Sequence, residues 1–256
     1  MRLPLMIGLL ALAACQSEAP ATNSATTKGE AKATAPAKAV DEESATDLLS
    51  WGLSYPAEVA AIPVLADRIR AASMEQKTEN IAAATSDKAE REKNGFDFNG
   101  YEQADSYEVA GDTPRLLSIA DNWYVFTGGA HPNHGTKALL WDREAGREIA
   151  FADLLSGGAG VLGPLFAAAY CAALDKQRAE KRGPEDAGAP DDMFNQCPKF
   201  AELAIIPKGA KGKPFSTILF HADPYVEGDY DVELPVTAAL IAALRPDYRA
   251  SFVAAR

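Results

Sequence analysis

Between residues 49 and 55 apolar and small side chains alternate: Leu49, Trp51, Leu53 and Tyr55 stand against Ser50, Gly52 and Ser54. A period of two predicts a strand with one buried face. Pro56 and Pro63 bracket a short connection, after which the period lengthens. Val64, Ile69, Ala72 and Ile81, set among Ala, Glu, Lys and Arg, predict a long amphipathic helix from Pro63 to Lys93 that stops at Asn94-Gly95. Strand character returns over Phe96–Ala110, turns at Gly111-Asp112-Thr113-Pro114, and is strongest over Arg115–Thr127, which holds Leu117, Ile119, Trp123 and Val125. Gly128-Gly129 interrupts it. Short strands at Lys137–Asp142 and Arg147–Ala150 flank a hairpin turn at Gly146, and Phe151–Leu155 reads as a helical turn. A second helix is expected over Ala159–Lys181. Strands are expected at Phe200–Pro207, Phe215–His221 and Tyr230–Val236, and a terminal helix at Thr237–Leu244 before Pro246. The fold class is therefore α+β, a curved antiparallel sheet with packed helices, as one unit or two intimately packed subdomains.

The first 46 residues follow different rules. Arg2 precedes an apolar run, Leu3–Ala14, too short for the ~20 residues that cross a bilayer, and the run closes on Leu12-Ala13-Ala14-Cys15. Residues 1–14 are expected to be a signal peptide and Cys15 a lipidated anchor, as in a bacterial lipobox. Gln16 in place of Asp favours the outer membrane, on its periplasmic face. Residues 15–46 are Ala, Thr, Ser, Lys, Glu and Pro with hardly a large apolar side chain, and read as a tether that cannot offset the entropy of ordering. Ordered structure is expected from Asp47, with subdomains 47–127 and 128–256.

Thirty-six acids against 25 bases give a net charge of −11. That sign repels phosphate backbones and argues against nucleic acid as a partner. It favours basic proteins instead.

Once Cys15 is set aside, Cys171 and Cys197 remain, 26 positions apart. In an oxidising compartment an even pair reads as a disulfide; two buried thiols are the alternative. Nothing resembles G-x-S-x-G, H-E-x-x-H, a P-loop or a dinucleotide fingerprint, so no catalytic residue, metal or cofactor is assigned. The chain's three histidines are His131, His134 and His221, and two of them lie in Gly128-Gly129-Ala130-His131-Pro132-Asn133-His134-Gly135. This segment reads foremost as an architectural turn, in which Gly129 needs a positive φ and Asn133 closes a local side-chain turn. Gly128, Gly129, His131 and Asn133 are the candidate ligand contacts; a metal site on His131, His134 and His221, or a cation among Asp223, Glu227, Asp229 and Asp231, is the weaker reading.

Those residues also carry a resemblance. Gly128–Asn133 follows Trp123-Tyr124-Val125-Phe126 and precedes Leu139-Leu140-Trp141-Asp142, Gly146 and Ile149–Leu155; Phe220, Pro224-Tyr225, Gly228 and Val232-Glu233-Leu234-Pro235 come far downstream. The order resembles the extracytoplasmic domains of RsiV-like, lysozyme-sensing anti-sigma factors and the non-catalytic N-terminal region of PdaC-type deacetylases. It spans Leu49 to about Leu244 and implies an α+β module of the wall compartment. The chain departs from those relatives: the sigma-binding segment, the transmembrane helix and the deacetylase catalytic domain have no counterpart in it. The resemblance implies a non-enzymatic envelope lipoprotein that binds a basic protein such as lysozyme, or peptidoglycan. Two other classes stay open: a hydrolase or deacetylase using His131 or His134 as base, and a structural envelope-assembly lipoprotein.

Overall fold

The computed structural model describes residues 36–182, 195–222 and 230–255. Its first sheet has six strands in sequence order: β1 (Val40–Ala45), β2 (Leu49–Tyr55), β3 (Tyr101–Asp112), β4 (Leu116–Phe126), β5 (Asn133–Asp142) and β6 (Arg147–Ile149). A short helix, α1 (Ala57–Ala60), and a long one, α2 (Pro63–Lys93), join β2 to β3. That connection makes β2 and β3 parallel, while every other neighbouring pair is antiparallel. A parallel pair needs a crossover, and α2 supplies it.

The alternation read from residues 49–55 is realised: Leu49, Trp51, Leu53 and Tyr55 are buried beneath α2. They pack with Val59, Leu65, Ile69, Ile119, Leu139 and Trp141 in one apolar cluster. Buried polar groups thread this interface and are paired. The Trp51 indole N–H donates to Ser73 Oγ at 3.1 Å, Ser73 donates to Asp105 at 2.7 Å, and Gln103 donates to Asp105 at 3.2 Å. Such a network fixes how α2 sits on the sheet, because sliding the helix would strand buried donors.

A three-stranded antiparallel sheet follows, with β7 (Leu203–Lys208), β8 (Thr217–Ala222) and β9 (Tyr230–Pro235). Helix α3 (Leu162–Arg182) buries Leu162, Phe166, Tyr170, Leu174 and Arg178, one residue in four and thus a single stripe. The stripe meets Phe220, Val232 and Leu234 from the small sheet and Leu116, Leu140 and Ile149 from the large one in a second apolar cluster. Helix α4 (Ala238–Ala243) is capped by the Thr237 hydroxyl, which accepts from the Leu240 N–H at 3.1 Å.

The α+β class holds, and three boundaries move. β1 lies inside the segment expected to be tether; Val40 to Ala45 pairs with Tyr55 to Ser50 along its whole length. The expected division after Thr127 falls within the β4–β5 hairpin, where ten consecutive cross-strand pairs keep both sides in one sheet. Asn133, His134 and Gly135, expected in a turn, already belong to β5.

Candidate functional site

The turn that drew attention in the sequence is narrower than expected. Gly128 has φ +77°, whereas Gly129 has an ordinary φ and open space around its Cβ position. The left-handed residue is therefore Gly128, one position before the glycine expected to need it. The Gly128 carbonyl lies 3.4 Å from Arg91 Nη2, near the end of α2. His131 and His134 are exposed, and the His131 Nδ1–H donates to the Pro132 carbonyl at 3.1 Å. Asn133 opens β5 opposite Val125.

The other expected residues divide. Cys171 on α3 is disulfide-bonded to Cys197, with Cα atoms 5.6 Å apart. The Arg178 guanidinium adds to this tie by donating to the Asn195 and Gln196 carbonyls at 3.0 and 2.8 Å. Cys15, Asp223, Glu227 and Asp229 lie outside the described residues. Among the described residues, no group of three or more His, Cys, Asp or Glu side chains is gathered as for a metal ion.

The concave surface lies between the two sheets. A groove of about 540 Å³ runs over Leu140 and Ile149 of the large sheet, is walled by Phe151 and Leu162, and is closed by Phe200, Leu203 and Ile205 at the start of β7. A second hollow of about 360 Å³ adjoins it; Ala138, Ala201 and Leu203 line both. Trp123, Thr136, Lys137, Glu202 and His221 also line the second, which gives it a tryptophan ring, a lysine and an imidazole that the first lacks. Volumes of this size are ordinary for small-ligand sites.

Strand geometry places these side chains. β6 pairs only with Leu140, Trp141 and Asp142, so residues 133–139 of β5 form an outer edge of the sheet. Successive residues of a strand point to opposite faces. A hollow that touches Thr136, Lys137 and Ala138 in a row therefore opens along that edge. Gly135 sits opposite Trp123, and a Cβ there would come within 3.0 Å of the indole. The absent side chain lets the Trp123 ring lie across β5 toward the edge.

His221 is directly opposite Asp231 on β9, and its Nδ1–H donates to the carboxylate at 2.8 Å. This bond holds the Asp231 carboxyl below the usual carboxylate range, against the opposing effect of burial. Near Lys137, Asp121 behaves oppositely. Burial raises its carboxyl to about 6, with Asp105 and Glu148 as like charges, while Lys137 and a hydrogen bond with the Tyr107 hydroxyl pull the other way.

Residues 42–134 match a family model described as "Deacetylase PdaC". The matched PdaC segment runs from β1 to the first residues of β5 and stops before the downstream half of the pattern seen in the sequence. The crystal structure of a DUF3298 family protein from Pseudomonas aeruginosa PAO1 is similar over 86% of this chain and 96% of its own, with a TM-score of 0.52 and 17% identity. At that identity the likeness establishes the fold. A DUF3298 family member from Bacteroides fragilis aligns over 81% of this chain and 92% of its own, with a TM-score of 0.47 and 17% identity. None of the curated proteins compared with the chain matches it.

Sequence reasoning found the Cys171–Cys197 bridge and missed Trp123, Lys137, Phe200 and His221 as lining of one cleft, and Asp231 as the partner of His221. Their only signal is strand register: Trp123 meets Gly135, and His221 meets Asp231, solely because of how the hairpins align.

Proposed function

We propose that this chain is a non-enzymatic binding module, held at the periplasmic face of the bacterial envelope, and preferentially at the outer membrane, by a lipid on Cys15. The observation that carries the reading is the groove of about 540 Å³ between β5–β6 and β7, an apolar concavity with a polar end. Apolar lining with a few placed polar groups supports binding. The imidazoles considered as catalytic bases, His131 and His134, stand exposed on the β4–β5 hairpin and line neither hollow. The ligand best suited to the polar end is wall glycan. A second reading, a basic lysozyme-like protein, is favoured by the net charge of −11. RsiV-like recognition belongs to that second reading.

The test uses the full chain in mild detergent, immobilised and exposed to purified sacculi and, separately, to a lysozyme-type hydrolase. Binding to either supports the reading, and binding to neither removes it. Ala201 is exposed and borders both hollows. Ala201→Trp should therefore leave the thermal melt nearly unchanged and weaken the binding that is seen, by roughly tenfold or more for a ligand seated in the cleft.

A further inference from the structure

The hollow along the β5 edge contains a combination that the proposed binding role leaves unspecified. Trp123 offers a flat, half-buried ring that lies against Gly135, where no side chain intervenes, with Lys137 Nζ 5.7 Å from the ring centroid. Around it stand a hydroxyl (Thr136), an ammonium (Lys137), a carboxylate (Glu202) and an imidazole (His221). We propose that this hollow is a sugar subsite in which the Trp123 indole stacks on a pyranose ring of an uncharged oligosaccharide. The proposal rests on the binding role put forward above and adds to it a site, a ligand class and a part for each residue.

The chemistry of a pyranose explains why these groups belong together. One face of the ring is a patch of C–H bonds and packs on an aromatic face, whose negative quadrupole attracts polarised hydrogens. The rim carries hydroxyls, each both donor and acceptor, so a sugar site needs donors and acceptors around an apolar platform. Lys137 supplies donors and Glu202 acceptors. Thr136 already donates to Asn122 Oδ1 at 2.7 Å, which leaves its oxygen to accept. Lys137 and Glu202 also cancel in charge, so the hollow has no need of a charged ligand.

His221 provides an independent observation. Its side chain is 93% buried by its 7% exposure, and Nε2 has no hydrogen-bond partner. Nδ1–H is committed to Asp231 on β9, and His221 lines the hollow beside Ala204, its cross-strand neighbour on β7. In the neutral ring Nε2 is an acceptor. An unpaired buried acceptor is costly, and a ligand hydroxyl that reached it would recover that cost on binding. Asp231 is then a positioning residue, fixing which nitrogen is presented.

The probes are chitotetraose and cellotetraose, both uncharged, titrated into the full chain in mild detergent while tryptophan emission is followed. Trp51 and Trp141 are each only 5% exposed, so a ligand-induced change reports chiefly on Trp123. The expected result is a saturable blue shift with at least one tetraose. Affinity should fall roughly tenfold or more in Trp123→Ala, read by calorimetry, and largely return in Trp123→Phe, with circular dichroism confirming that both variants fold. Gly135→Val, which crowds the indole, should weaken binding without removing the ring. A saturable response to chitotetraose alone assigns the subsite to amino-sugar chains; a response to both assigns it to pyranosides in general. Saturation by neither tetraose, or unchanged affinity in a folded Trp123→Ala, overturns the proposal. If sacculi or the hydrolase still bind in that case, the broader binding role stands and the sugar subsite alone is lost. If the hydrolase binds and Trp123→Ala abolishes it while the tetraoses do nothing, the hollow is a protein contact and the sugar assignment is wrong.

Discussion

Single residues in this chain are governed by the strand opposite them. Asp121 is the clearest case. It faces Tyr107 on β3 and Lys137 on β5, and its Oδ1 is buried without a partner. Its carboxyl is raised from 3.8 to about 6, so the folded chain holds this proton more tightly than the unfolded chain does. Stability from this group is therefore fullest at acid pH and falls as pH rises between about 4 and 6. Replacing the carboxyl with an amide removes the charge penalty. Asp121→Asn should raise the unfolding free energy at pH 8 by about 1–2 kcal/mol, allowing for partial exposure, and have little effect at pH 4. Urea denaturation at the two pH values checks this, and an equal effect at both would show that the carboxyl does not carry a raised pKa. At this scale legibility in the sequence was uneven. The need for a left-handed glycine after Phe126 was readable from residue type; its position, Gly128 rather than Gly129, depends on where β4 ends.

Among the elements, those that bury a regular face were visible and those held by backbone pairing were not. β2 alternates and α2 begins at a proline and ends at Asn-Gly, so both could be placed from sequence, but the face that α2 buries is Leu65, Ala66, Ile69, Ser73 and Ala84, while Val64 and Ala72, expected on it, are exposed. β1, with the sequence VDEESA, offers no apolar stripe, because its side chains are mostly solvent-facing and its stability comes from bonds to β2. Charged residues on an outer strand also discourage pairing with another chain. The loss of β1 from a sequence reading is thus a consequence of its edge position. The disulfide belongs to this scale too. It joins α3 to the segment that leads into β7, which in turn forms a wall of the cleft. By loop entropy it contributes about 3 kcal/mol, less any strain. Cys171→Ser together with Cys197→Ser should lower the melting temperature measurably, and the tetraose response should weaken as the Phe200–Ala204 wall loosens. An unchanged melt in the double variant would show that the bridge adds nothing to stability.

For the whole molecule, the sequence conveyed the α+β class, while the cleft could not be read, since it is made where strands far apart in the chain meet. Residues 136–138 and 200–205 share a concavity that no local pattern announces. Cellular placement is tested at this scale. If Cys15 carries the lipid, Cys15→Ser should move the protein from the membrane fraction to the soluble periplasmic fraction, and an inhibitor of lipoprotein signal peptidase should accumulate the precursor. Retention of that variant in the membrane would end the anchor assignment.

The segment 246–255 reaches back into the body of the fold. Phe252 packs on Phe215 with ring centroids 5.1 Å apart, the Phe215 N–H donates to the Ser251 carbonyl at 2.8 Å, and the Val253 N–H returns a bond to Phe215 at 2.9 Å. The Thr113 hydroxyl, from the turn between β3 and β4, donates to Ser251 Oγ at 3.2 Å across 138 positions of chain. Closure of this kind has a cost in the order of assembly. A chain that emerges from a ribosome from its N-terminus cannot complete the apolar cluster that Phe252 joins until this stretch is free. Until then the β3–β4 turn and the β7–β8 hairpin are joined only by their direct bonds, from the Gly209 N–H to Ala110 and from the Gly212 N–H to Asp112. The bonds from Ser251 and Val253 are therefore among the last the chain can make during synthesis.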